Sequence, residues 1–514
     1  MISKTLSGAV IGIEAMIVEV QCDVSRGMPK FKMVGLPEKE VKESEERIRS
    51  AIKNSGFSFP TRRITANLAP ADQRKEGVGL DLPIACGILE ASEQVQPEGM
   101  ENVLLIGELS LDGEVRPVSG VLPVALEAAE KESIEGLIVP EGNAREAALV
   151  GSLDVYPVSS LTAAVDLFQE EERSPIHFDR ERYFELKEGY REDFSDVKGQ
   201  QQAKRALEIA AAGGHNVLLS GPPGSGKSML AKRLPTILPR LTFEEALSAT
   251  KIYSIMGELG SDTPLITTRQ VRSPHHTISY AGMVGGGHGN PSPGEISLAH
   301  KGVLFLDELP EFSRKVLETL RQPLEEGSIT IARSSTSVRF PADFTLIAAM
   351  NPCPCGYLGD PVKRCRCRPH EIRRYRKKIS GPFLDRIDIF VDVQRLKKEE
   401  MLAKVDGESS SQKRERVKRG REKQRLRFDR ADFHNSEMGP SQVEEFCNPE
   451  SEASELLEGA IDRFGFSARS YHKVLKVGRT VADLAGSSRI GPEHISEAIQ
   501  YRTFKERLLN GEGV

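Results

Sequence analysis

The sequence predicts a multidomain α/β protein: an α/β unit first, an α/β phosphate-loop core in the middle, and a small helical domain last. Three observations predict it. Gly221-Pro222-Pro223-Gly224-Ser225-Gly226-Lys227-Ser228 fits G-x-x-x-x-G-K-[ST] and stands between an apolar strand, Asn216–Ser220, and a helix, Met229–Leu234. A second apolar strand, Val303–Leu306, ends in two carboxylates, Asp307 and Glu308. From Ser441 onward the apolar spacing is helical, with Val474, Leu475, Val477, Val481 and Leu484 on one face. A chain of 514 residues has length for about three domains.

Taken in order, residues 1–168 read as one α/β domain. Val10–Ile13 and Met16–Val20 are expected strands around a short turn, and Pro37–Asn54 is an amphipathic helix with Val41, Ile48 and Ile52 on its apolar face. Val103–Gly107 and Gly136–Pro140 are buried strands with a helix, Leu122–Ala129, between them. Residues 169–192, dominated by charges such as Glu170-Glu171-Glu172-Arg173, read as a linker. The nucleotide-binding core is expected over 193–395, a charged helical connector over 396–430 and a helical domain over 431–514. In that last domain Gly486 suits a helix stop and Gly491-Pro492-Glu493 a helix start.

Composition narrows the function classes. Hydrophobic residues make up 39% of the chain, and no apolar run is long enough to span a bilayer. The first twenty residues are interrupted by Glu14 and lack a basic start, so no signal peptide is expected. Of the seven cysteines, Cys22, Cys86 and Cys447 stand alone as buried thiols, which fits a reducing, cytoplasmic compartment. The net charge of -5 predicts no global attraction to nucleic acid, although the basic residues are unevenly spread.

The loop Gly221–Ser228 carries chemistry for ATP and Mg²⁺. Its glycines let successive N–H groups converge on one anion at a helix N-terminus. Lys227 is expected to reach the β- and γ-phosphates and Ser228 to hold Mg²⁺. Asp307 is expected to bind Mg²⁺ through water, and Glu308 to orient the attacking water. Asn351, at the end of the apolar strand Leu346–Met350, is expected between these motifs, touching the γ-phosphate or the water. Arg386, on the turn within Gly381–Asp388, has the placement of an arginine that reaches a neighbouring subunit's ATP. Arg469, at the start of a helix, could contact the same phosphates; a surface ion pair is the competing reading.

With these motifs in view, the chain resembles the magnesium chelatase-like AAA+ family of bacteria usually called YifB or ComM. The resemblance rests on Arg272-Ser273-Pro274-His275-His276, Pro293–His300, Leu306-Asp307-Glu308-Leu309-Pro310, Asn351-Pro352-Cys353-Pro354-Cys355-Gly356 and Lys378–Pro382, and covers essentially the whole chain. It implies that the helical domain is an AAA+ lid. It also implies a hexameric ring that moves single-stranded and branched DNA, a helicase promoting branch migration during recombination in natural transformation. Two insertions would face the ring pore: Ser273–Glu295, and a hairpin from Ser328 to Phe340 whose Arg333 and Arg339 could touch phosphates.

Cys353-Pro354-Cys355 and Cys365-Arg366-Cys367 form two C-x-C pairs, a closed thiolate set for structural Zn²⁺, with free thiols as the alternative. The same loop holds Lys363, Arg364, Arg366, Arg368, Arg373, Arg374, Arg376, Lys377 and Lys378 against the single acid Glu371. This density of one sign points to a phosphate-binding surface, with Arg373, Arg374 and Arg376 as DNA-contact candidates. The N-terminal domain resembles the Lon protease domain. In the stretch Lys75–Asp81, Gly79 stands where that family's serine would be, and Gly113–Val118 offers no clear catalytic lysine, so acyl transfer lacks a first step. The leading reading is therefore an ATP-driven DNA motor. A chelatase-type or protein-remodelling motor is the alternative, and an ATP-dependent protease is nearly excluded.

Overall fold

A long N-terminal hairpin forms from a second strand in which Val18, Val20, Cys22 and Val24 alternate with polar residues and a first strand that buries Ser3, Thr5 and Ser7. Ile2–Ile11 and Glu14–Ser25 pair antiparallel, and Gly12 makes the turn at φ +64°, a backbone region glycine enters without a Cβ clash. The computed structural model describes residues 1–73, 75, 77, 79–96, 102–169, 174–186, 190–260, 262–287, 291–332, 337–396, 400 and 407–510. The hairpin lies inside a seven-stranded sheet ordered Lys30–Val34, Arg63–Ala69, Glu14–Ser25, Ile2–Ile11, Val103–Leu105, Gly136–Pro140, Asp154–Val158. Helices Lys39–Asn54 and Asp81–Ala91 cover one face, where Val41, Ile48 and Ile52 meet Ile84, Ile88, Val18 and Val20. Helix Val121–Ala129 covers the other through Val124, Ala125 and Ala128 against Leu104, Leu137 and Val139.

Within the stretch read as a linker, Arg180–Leu186 is helical. Phe178, Tyr183 and Phe184 pack between Leu122 and Leu149 of the N-terminal domain and Leu241, Phe243 and Leu265 of the core. Its acidic residues conceal an apolar face that joins the two units.

The core sheet has five parallel strands in the order Val271–Arg272, Val303–Leu306, Thr345–Met350, Val217–Ser220, Ile389–Asp392. Side chains alternate across it. Val217, Leu219, Phe305 and Ile347 face the helices Gln201–Gly213 and Lys227–Ile237, while Leu218, Leu304, Leu306 and Ala348 face Phe312, Leu317 and Phe340. The C-terminal helices share the first of these clusters through Leu457, Val474, Leu475, Ile495 and Tyr501.

The connector also joins the core. Helix Ser410–Phe428 buries Ser410, Lys413, Val417, Gly420 and Gln424, a face whose residues are mostly polar or small. Lys413 and Arg416 both pair with Glu208, itself buried on helix Gln201–Gly213. Among the described residues no helix is long and apolar enough to cross a membrane.

Leu122 is fully buried at the junction of domain and core. Leu122→Ala is expected to cost about 2–5 kcal/mol. Denaturant unfolding should show the lowered midpoint, and limited proteolysis should show earlier cleavage near the helix Arg180–Leu186. An unchanged midpoint would mean that the junction bears no stability.

Candidate active site

Parallel strands bring their C-terminal ends to one edge, and loops leaving that edge form the usual ligand crevice of an open α/β sheet. Three adjacent strands deliver the site here. Ser220 leads into the phosphate loop, Leu306 into Asp307 and Glu308, and Met350 into Asn351. Gly224 (φ +77°) and Gly226 (φ +93°) supply the left-handed turns that bend the loop, and an added Cβ at either would meet nothing within 4 Å. The space over the loop is therefore open, and helix Lys227–Ile237 begins directly behind it. That is an anion cradle.

Lys227 donates to the carbonyls of Gly221 (2.7 Å) and Pro222 (2.9 Å) and to Asn351 Oδ1 (3.3 Å). Burial lowers its pKa, with Asp307 opposing the shift. Ser228 Oγ donates to Asp307 Oδ2 at 2.7 Å, so the expected Mg²⁺-binding pair is already adjacent. Glu308 is non-glycine at φ +53°, a sparsely populated backbone conformation.

The arginines lie elsewhere. Arg386 precedes strand Ile389–Asp392, at the N-terminal ends of the strands. A four-residue strand is about 13 Å long, so Arg386 and Lys227 stand at opposite ends of the sheet. Arg386 donates to Pro382 O (2.6 Å) and pairs with Glu325. Arg469, exposed at the start of helix Ala468–Leu484, lines the same cleft of about 720 Å³. Buried Asp388 braces this end: it accepts from Asn216 N (3.0 Å) and pairs with Lys473 (2.7 Å).

The four thiols of Cys353, Cys355, Cys365 and Cys367 converge, all within 4.8 Å of one another. Burial raises the Cys353 thiol to about 12. Burial also opposes ionisation of Cys355, but backbone N–H groups of Arg366 and Tyr357 outweigh it and hold that thiol at about 6. This cluster abuts the phosphate loop, since a Cβ on Gly356 would lie 2.6 Å from Pro223 Cδ.

The DNA-contact candidates separate. Arg373 and Arg374 are exposed on helix Pro369–Arg376 and line a shallow basic concavity with His370, Lys377 and Lys378. Arg376 is not available: it is buried, and its guanidinium donates to Pro352 O at 3.1 and 3.2 Å. At about 100° of rotation per residue, position 376 lies about 160° around the helix from 374, so those two face opposite ways. Arg339 is exposed, with Nε donating to Ser328 Oγ at 2.8 Å. Arg333 falls outside the described residues.

In the N-terminal domain Gly79 packs against Ile106, whose Cγ1 would stand 3.0 Å from an added Cβ. Asp81 of the same stretch is buried against Arg47 (2.9 Å), a structural ion pair. His300 is likewise structural, accepting from Asp343 N and held neutral by burial, with a pKa of about 4.

Three residues escaped the sequence reading. Gln200 donates to Ser225 O and Gln394 O, gripping the phosphate loop; its only sequence signal is its place just before a helix. Tyr375 meets the backbone N–H of Asn351. His276 lies 3.3 Å from Glu308.

Comparison with known proteins agrees with this geometry. Residues 193–401 match the family described as magnesium chelatase, subunit ChlI, residues 20–143 match subunit ChlI of Mg-chelatase, and residues 407–502 match the ChlI C-terminal region. Over 98% of its length the chain is 44% identical to competence protein ComM of Haemophilus influenzae, covering 97% of that protein. It is 43% identical to uncharacterized protein YifB of Escherichia coli over 98% of this chain and 97% of that one. A shorter likeness, 29% over 34% of the chain and 35% of the relative, links it to Lon protease 2 of Bacillus subtilis.

Lys227→Ala is expected to weaken ATP binding in a nucleotide titration. Glu308→Gln should bind ATP normally yet hydrolyse it about 10²–10⁴-fold more slowly, because the water loses its orienting base. Normal turnover in Glu308→Gln would remove that role from Glu308.

Proposed function

The chain belongs to the magnesium chelatase-like AAA+ ATPase family that includes ComM and YifB, and from that premise we propose that it is an ATP-driven DNA motor working as a hexameric ring. The single observation that carries the ring is the sheet's polarity. The phosphate loop opens at one end of the sheet, and Arg386 with Arg469 lines a cleft at the other. A head-to-tail neighbour would set those arginines against the γ-phosphate, where a guanidinium stabilises developing charge. In this reading Lys227, Ser228, Asp307, Glu308 and Asn351 bind and activate ATP·Mg²⁺ within one subunit, and the next subunit completes the site.

DNA is the favoured load because of the basic concavity of Arg373, Arg374, His370, Lys377 and Lys378. Arg and Lys neutralise phosphates whatever the base sequence, and the chain has no Trp for strong stacking. Arg339 on the hairpin Ser328–Pro341 adds a second basic point, and the name competence protein carried by one relative fits DNA handling in transformation.

The four cysteines suit a structural Zn²⁺. Tetrahedral Zn–S bonds of about 2.3 Å require sulfurs about 3.8 Å apart. Cys353, Cys355 and Cys365 stand 3.4, 3.6 and 3.7 Å from one another, and the backbone N–H of Cys355 donates to Cys367 Sγ. A bound zinc would crosslink the loop that joins Asn351 to the basic helix. Elemental analysis should find one zinc per chain, and changing all four cysteines to serine should abolish it and weaken DNA binding. Metal-free native protein would leave the cluster as free thiols.

The deciding measurement is DNA binding and ATPase rate with single-stranded and branched DNA. Binding should weaken steeply with salt. Arg373→Ala with Arg374→Ala should flatten the single-strand salt slope by about 1.4, two phosphate contacts, while basal ATPase persists. If DNA neither binds at low salt nor alters the ATPase, the DNA motor fails, and the chelatase-type or protein-remodelling motor, which shares the ATPase apparatus, replaces it.

A further inference from the structure

The motif Arg272-Ser273-Pro274-His275-His276 takes no part in the ATP chemistry described above, yet it ends against the catalytic carboxylate. His276 Nδ1 lies 3.3 Å from Glu308 Oε2. We propose that His276 is the positioning residue of Glu308, holding one carboxylate oxygen so that the other is free to orient the attacking water.

The route of the chain explains the meeting. Strand Val271–Arg272 pairs in parallel with Val303–Leu306, so residues leaving the two strands emerge side by side. Arg272 is then locked to Glu295 by two short bonds, Nε to Oε2 at 2.6 Å and Nη2 to Oε1 at 2.7 Å. That bidentate pair closes the base of the Ser273–Glu295 insertion and fixes where it departs. The His276 ring is held on two further sides. It packs on His275 with centroids 4.1 Å apart and meets the buried Phe312 ring edge-on at 6.4 Å.

Glu308 needs such a partner. Its side chain is 56% exposed, and among the described residues His276 is its ionic partner. An exposed carboxylate on a left-handed residue samples several rotamers, and only some can hold a water in line. Only an N–H on Nδ1 can donate to Glu308 Oε2, so the contact requires the ring tautomer that carries its hydrogen there. Asp307 does not serve this purpose, because its oxygens are taken by Ser228 Oγ and by the Glu308 backbone N–H.

The test is a double-mutant cycle in single-turnover ATP hydrolysis. His276→Ala is expected to lower the hydrolysis rate about tenfold with nucleotide Kd and thermal midpoint unchanged, the scale of loosening a catalytic group rather than removing it. His276→Gln, which keeps a donor, should recover part of that rate. In a Glu308→Gln background His276→Ala should add no further loss, since the two act through one group. A full-rate His276→Ala overturns the proposal. So does a loss that multiplies undiminished on top of Glu308→Gln, or one accompanied by an equal weakening of nucleotide binding.

Discussion

Five strands run in one direction, from Val271–Arg272 through Val303–Leu306, Thr345–Met350 and Val217–Ser220 to Ile389–Asp392, and their common polarity governs the rest of the molecule. It gathers the phosphate loop, the Asp307-Glu308 pair and Asn351 at one edge, although they lie far apart in sequence. It also leaves Arg386 and Arg469 on the opposite edge. The same hydrogen-bond ladder that stabilises the sheet thus separates the groups proposed to bind phosphate from the arginines proposed to meet a neighbour's phosphate. Reversal of the strand Ile389–Asp392 would have carried Arg386 to the phosphate-loop edge and removed the asymmetry on which the proposed head-to-tail ring depends.

The nucleotide edge is tied to the surface around it through short, specific contacts. Asn351 is followed immediately by Pro352 and Cys353, so the cysteine loop begins where the strand Thr345–Met350 ends. Arg376 and Tyr375, on the buried side of the basic helix, hold Pro352 O and the Asn351 N–H, while Arg373 and Arg374 point outward from the same helix. Gly356 of the cysteine loop presses on Pro223 of the phosphate loop. A displacement of the basic helix therefore cannot leave Asn351 untouched, and in the proposed motor this contact is a mechanical route from the load to the ATP.

At the far edge, electrostatics does the corresponding work. Asp388 is buried with Lys473 and close to His215, and its carboxyl is held well below the usual range despite burial. Arg502, also buried, donates to Ile387 O and packs over Phe390. Residues 385–388, which carry Arg386, are thus bracketed by helices Ala468–Leu484 and Pro492–Asn510. An uncompensated charge at this depth would cost several kcal/mol, so the bracket stays closed only while its partners remain paired.

Much of this protein was legible from consecutive residues. The phosphate loop, the apolar strand ending in Asp307 and Glu308, the four clustered cysteines and the strand Gly136–Pro140 each depend on local spacing, and local spacing is what a sequence records. Contacts between distant segments are not recorded in that way. Arg376 belonged to a basic run but turned inward, because helical rotation set it opposite Arg374. The connector read as a charged helix, and only the fold shows that its Lys413 and Arg416 pair with a buried Glu208. The charged linker hid Phe178, Tyr183 and Phe184 at a domain junction, and His276 reached Glu308 only because two parallel strands lie side by side. The sequence by itself determined which chemistry the chain carries, since that chemistry resides in short motifs. Tertiary structure alone decided which charges meet water and which catalytic groups touch, because burial and proximity depend on surfaces contributed by other parts of the chain.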